Sequence, residues 1–160
     1  MTKEIRNTFK EKIYECDKHV ERIETAKSYL NEIFPLTIDV YNNIDAVKSS
    51  FIDQLIFRFS KLQDTIGESL FPAVLILAEE DVKRKTFIDI LNRLEELDLV
   101  ERTNWLKLRE TRNEIAHEYS QNTDEVVESI NDVFEKSSET IRIYRNLKAF
   151  CKNKFDLEMS

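Results

Sequence analysis

The chain has 160 residues, 41% of them hydrophobic and 34% charged, and its 31 acidic side chains outnumber 24 basic ones for a formal charge of −7. That length holds one domain with one core and is too short for two comfortable ones. The acidic balance argues against broad, non-specific binding to nucleic acid, and one Gly with two Pro argues against strand-and-turn architectures, which need more of both.

The first element runs from about Thr2 to Phe34. Its apolar residues Ile5, Phe9, Ile13, Cys16, Val20, Ile23, Ala26, Leu30 and Ile33 follow steps of three and four, which predicts one long amphipathic helix. Pro35 ends it. A second helix is expected to start near Thr37 or Asp39, with a stripe of Ile44, Val47, Phe51, Leu55, Phe59, Leu62 and Ile66. Gly67 and Pro72 disturb that stripe, so a break or kink falls near Leu70. Pro72 to Ala78 reads as a short buried helix, and the apolar run Phe71 to Ala78 is far too short to span a membrane.

Glu79 to Lys85 is charged and reads as a solvated loop. Thr86 suits an N-cap, with Asp89 as its capping-box partner, and Phe87, Ile90, Leu91, Leu94 and Leu97 give the next helix its buried face. After Asp98 to Val100 a further helix covers about Arg102 to Tyr119. Ser120 to Thr123 is a turn, and Asn122 or Thr123 caps the last helix. That helix carries Val127, Ile130, Phe134, Ser137, Ile141, Tyr144, Leu147 and Cys151 on one side. No repeat or low-complexity segment interrupts the pattern. The prediction is an all-α, antiparallel bundle of four or five helices.

Lys3, Glu4, Arg6 and Lys10 leave no room for a signal peptide in the first turns. Cys16 and Cys151 are too few and too distant for a disulfide framework or zinc site, so a cytoplasmic location is expected. Two local basic runs stand out: Lys83, Arg84 and Lys85 in one loop, and Arg142, Arg145, Lys148 and Lys152 on one helix face. The ordinary reading of the second is cations complementing a helix C-terminus. His19, in a polar stretch, reads as a surface or satisfied residue.

The segment Arg112-Asn113-Glu114-Ile115-Ala116-His117-Glu118-Tyr119, of the form R-N-x-x-x-H-x-Y, carries the functional signal. Trp105, Leu108, Arg112, Ile115 and Tyr119 follow one helical stripe, which assigns Arg112 to the buried phase. A guanidinium there is costly unless it is paired or opens on a cleft. The ordinary alternatives are an ion pair with a bundle carboxylate and a side chain that snorkels past a thin core. His117 lies about 140° around an ideal helix from Arg112. Asn113, one turn before His117, can touch it, and Glu110 is close to the same meridian. Arg112 and His117 would converge at a cleft edge, at a loosened helix end or across a symmetric interface.

The segment resembles the HEPN superfamily, whose hallmark is an arginine four to six residues before a histidine on a helix. The HepT-type group is most similar, through Arg112, Asn113, His117 and Tyr119, with likeness from roughly Thr86 to Ile130. It is weak over the first fifty residues, so residues 1–35 read as an added N-terminal helical element of a single domain spanning 1–160. The resemblance implies a homodimer with both Arg/His sets along one groove. It implies a metal-independent endoribonuclease toxin of a prokaryotic toxin–antitoxin pair, silenced by an MntA-like nucleotidyltransferase antitoxin that adds AMP to the motif tyrosine, here Tyr119. Some relatives are instead non-catalytic, substrate-binding partners of a nucleotidyltransferase.

The residue chemistry is compatible with RNA cleavage. His117 would move protons to and from the 2′-hydroxyl and the leaving oxygen. Arg112 would hold the non-bridging phosphate oxygens, with Asn113, Tyr119 and Glu110 in support. No metal and no cofactor is expected, since no ligand cluster has recognised spacing.

Overall fold

The computed structural model describes residues 2–116 and 122–157. Helix α1 (Thr2–Leu30) passes through a 3-10 turn at Asn31–Ile33 and is followed by the short α2 (Ile38–Asn42). Then come α3 (Ala46–Thr65), α4 (Phe71–Leu77), α5 (Phe87–Glu96), α6 (Arg102–Ala116) and α7 (Thr123–Phe155). The described residues are all-helical and contain no strand.

Side-chain register sets the directions. Tyr29 stacks on Phe51 with centroids 4.5 Å apart, and His19 meets Arg58 at 3.1 Å, so α1 and α3 are antiparallel. Lys27 reaches Ser137 and Ser138, Arg145 reaches Glu24, and Lys148 reaches Asp17, which makes α7 antiparallel to α1 as well. Gln63 donates to the Leu108 carbonyl at 2.8 Å, and Gly67 lies against Trp105, so α6 runs back along α3. The shared core is fully apolar at Phe9, Cys16, Ile23, Leu55, Phe59, Leu62, Leu91, Trp105, Val133 and Leu147. Helix α1 lies along the length of that core.

Local chemistry explains most boundaries. Thr37, Asp45, Thr86 and Asn122 each accept backbone N–H bonds at a helix start, and Thr86 and Asp89 form the expected capping box at 3.1 and 3.0 Å. The second helix differs from expectation: it stops at Asn42 and restarts at Asp45. Asp45 binds the Lys48 N–H at 2.8 Å, and this cap competes locally with continuous winding. Val47, expected in the stripe, is exposed. Helices α4 and α5 close with Glu79 and Asp98 at φ 64° and 59°. In both, the next residue's N–H returns to the carbonyl five back, Glu80 to Leu75 and Leu99 to Leu94. Acidic residues thus occupy the left-handed positions that glycine usually takes.

The one glycine has another task. Ile66–Leu70 winds as a π-helix between α3 and α4, where a kink was predicted. Pro72 has no N–H for the Glu68 carbonyl, and the wider turn carries the chain past it. A Cβ on Gly67 would lie 3.3 Å from Cζ2 of the buried Trp105, tighter than ordinary carbon contact. Gly67 therefore lets the indole of α6 approach the backbone, while Phe71 meets the same indole edge-on at 4.7 Å.

Gly67→Leu is expected to cost about 1–3 kcal/mol by overpacking, and Trp105→Ala about 3–5 kcal/mol. Urea unfolding of the double variant should show a loss clearly smaller than the sum, because the indole that the leucine strikes is gone. Strict additivity would remove the close approach as the reason for the glycine.

Candidate functional site

Helix α6 is amphipathic, and its fully buried residues are Trp105, Leu108, Thr111 and Ile115. The buried stripe thus passes through Thr111, not Arg112 as the spacing had suggested. Thr111 satisfies its hydroxyl on the Lys107 carbonyl at 3.3 Å, so it fits a core position at little cost. Arg112 is displaced to the edge of the stripe, with its side chain 23% exposed.

Asp64, in the last turn of α3, holds it there. Arg112 Nε donates to Asp64 Oδ1 at 3.0 Å and Nη2 donates to Oδ2 at 2.9 Å. This two-pronged geometry fixes the guanidinium plane. Arg109, one turn earlier on α6, donates from Nη1 to the same Oδ1 at 2.8 Å. One carboxylate therefore serves two cations. Partial burial pushes the Asp64 pKa up, but hydrogen bonds from Arg112 and Arg109 outweigh it, and the net shift is downward. The hydrogen bond to Asp64 likewise raises Arg112.

This is the carboxylate pairing weighed as the ordinary reading of Arg112, with one difference. The cation is half-buried and not sealed off. Its Nη1 makes no hydrogen bond among the described residues, and the second guanidinium lies beside it. Neither Asp64 nor Arg109 stood out in the sequence. Each is one of many like residues at helical spacing, and only the packing of α3 on α6 brings them together.

Asn113, Glu110 and Glu114 are exposed on the outer side of α6. His117 and Tyr119 lie outside the described residues, as does the Ser120 end of the expected turn. Asn122 opens α7 by accepting the N–H groups of Asp124 and Glu125 at 3.0 and 3.4 Å.

The second basic run is largely neutralised. Arg142 pairs with Glu139, Arg145 with Glu24 at 3.2 Å and Lys148 with Asp17 at 3.0 Å. It lines no basic groove; it ties α7 to α1 and to itself. Lys83, Arg84 and Lys85 are exposed between α4 and α5. A cleft of about 440 Å³ between α2 and the start of α7 is lined by Asp124, Glu128, Asp132 and Glu135, a setting hostile to a polyanion. Among the described residues no three His, Cys, Asp or Glu side chains gather as a metal site, and no helix is long and apolar enough to cross a membrane.

Comparison with protein-family models, with curated proteins and with solved structures gives no match.

Asp64→Asn is expected to cost about 1–2 kcal/mol at pH 7, since it weakens charge-assisted bonds to two arginines. The folded pKa lies below the ordinary carboxylate value of 3.8. The stabilisation is therefore present above about pH 4 and is lost as pH falls through the folded pKa. Thermal melts of wild type and variant should converge from pH 4 toward pH 2. A gap that stays constant over that range would contradict the pairing.

Proposed function

We propose that the chain is a metal-independent endoribonuclease of the HEPN type, acting as the toxin of a toxin–antitoxin pair. The observation that carries this reading is Arg112, fixed in orientation by Asp64 yet open to solvent, in the segment R-N-x-x-x-H-x-Y. A guanidinium held by a carboxylate on one edge is ready to meet a phosphate with another. His117 takes the proton of the attacking 2′-hydroxyl or supplies one to the leaving 5′-oxygen, and Arg112 offsets the charge that builds on the phosphorane oxygens. Asn113 orients the imidazole, and Glu110 and Tyr119 border the scissile phosphate. A homodimer brings two such sets to one groove. A nucleotidyltransferase partner would silence it by moving AMP from ATP to the Tyr119 oxygen with release of pyrophosphate, which places bulk and negative charge beside Arg112.

One observation favours a second reading. Asp64 already occupies two donors of Arg112, and Glu68 also bears on its charge electrostatically. A guanidinium so committed suits a non-catalytic, nucleotide-holding subunit of a nucleotidyltransferase.

Purified protein incubated with total RNA in EDTA separates the two. The catalytic reading expects cleavage that falls by about 10²–10⁴-fold in His117→Ala and is lost in Arg112→Ala. Expression of the wild type should arrest growth where His117→Ala does not. Intact RNA with and without magnesium, together with stable binding to a nucleotidyltransferase, would establish the second reading instead.

A further inference from the structure

The linker after the 3-10 turn lies against the first half of α7 and walls a small cavity. Asn131 fixes it there, accepting the Leu36 N–H at 2.7 Å and donating to the Leu36 carbonyl at 2.9 Å. Phe34 stacks on Phe134 with centroids 4.0 Å apart and planes within 10° of parallel. The cavity beside this stack holds about 400 Å³, which is within the range of small-molecule sites. Its lining joins the apolar Phe34, Pro35 and Phe134 to Lys27, Ser138 and Glu135.

Lys27 is the chemical centre of this cavity. Its Nζ lies 3.0 Å from Ser137 Oγ, 2.9 Å from Ser138 Oγ and 4.7 Å from the Phe134 ring centroid. Ser137 spends its own hydrogen on the Phe134 carbonyl at 2.8 Å, so its oxygen accepts from the ammonium. An exposed lysine without a carboxylate is ordinary, because water solvates it. Lys27 is half-buried, and no carboxylate reaches it at ion-pair distance among the described residues. Two hydroxyls and a ring orient the charge but leave it uncompensated. Burial accordingly lowers the Lys27 pKa and outweighs the opposite pull of Glu24, which is itself engaged with Arg145.

We infer that this cavity binds a small monoanion with a flat apolar body, of the aromatic-carboxylate class. The carboxylate meets the Lys27 ammonium and the Ser138 hydroxyl, whose oxygen accepts from Lys27 while its hydrogen is free to donate. The body of the ligand lies along Phe34 and Pro35. Glu135, exposed on the same lining, repels a second negative charge and so restricts the ligand to one. The site is separate from the Arg112 cluster on α6 and does not depend on the nuclease reading.

Fluorine NMR of 4-fluorobenzoate titrated with the full chain tests it. Line broadening should report a Kd in the millimolar range or tighter, and neutral 4-fluorobenzamide should bind about tenfold more weakly or worse. Lys27→Met should lose about tenfold to a hundredfold in affinity, with a melting temperature unchanged or raised because a half-buried uncompensated charge is gone. Ser138→Ala, at an exposed position, should weaken binding about twofold to tenfold, and Glu135→Gln should strengthen it. No binding by the wild type, equal affinity for the amide, or wild-type affinity in Lys27→Met would overturn the site. Should Lys27→Met fail to fold, the Ser138 and Glu135 variants decide in its place, and unchanged affinity in both would overturn it.

Discussion

Trp105 against Gly67 is the contact on which the site geometry depends. The indole of α6 reaches the backbone of the π-helical turn because nothing larger than hydrogen projects from that position. Phe71 and Phe87 close over the same region, with centroids 6.4 Å apart. The close approach sets the spacing of α6 on α3, and spacing sets which polar groups meet. One turn before the glycine, Gln63 reaches across to the Leu108 carbonyl and Asp64 reaches Arg109 and Arg112. A wider gap between the helices would leave these as separate surface charges, worth little in water. Packing of apolar groups thus comes first, and the charge cluster follows from it.

Pairing arranges part of the charge on the molecule. Acidic residues outnumber basic ones, and eight cations on the long helices are matched to a carboxylate on the same or a neighbouring helix among the described residues. Of the basic run Arg142, Arg145, Lys148 and Lys152, the first three each have a carboxylate partner. This pairing gives weight to the two cations that share a partner. Arg109 and Arg112 divide one carboxylate between them. The cleft on the α2 side of α7 is acidic. A polyanion approaching this chain would be repelled from that cleft.

The proposed chemistry asks little of the fold beyond that. Phosphoryl transfer through an imidazole and a guanidinium needs orientation, partial exclusion of water and a fixed positive charge. Asp64 supplies orientation at the cost of some of the charge of Arg112, and Arg109 returns part of it. The balance between those two effects separates a nuclease from a nucleotide-holding subunit, and it is a property of this cluster more than of the bundle around it.

The amino-acid sequence by itself determined the helical class, most helix ends and the core-facing residues. Steps of three and four, caps at Thr86 and Asn122, and the scarcity of glycine act within a turn or two of the chain, so they are legible without a fold. The restart at Asp45 was missed because a capping side chain beside an apolar stripe reads equally well as a helical residue. The phase of Arg112 was misjudged for a related reason: steps of three and four fit both Arg112 and Thr111, and only the direction of the neighbouring helix chooses between them. Asp64 and Arg109 were invisible for the deepest reason. A pairing across 45 or 48 residues of sequence leaves no periodic trace, and it exists only once α3 and α6 are pressed together around an indole and a glycine.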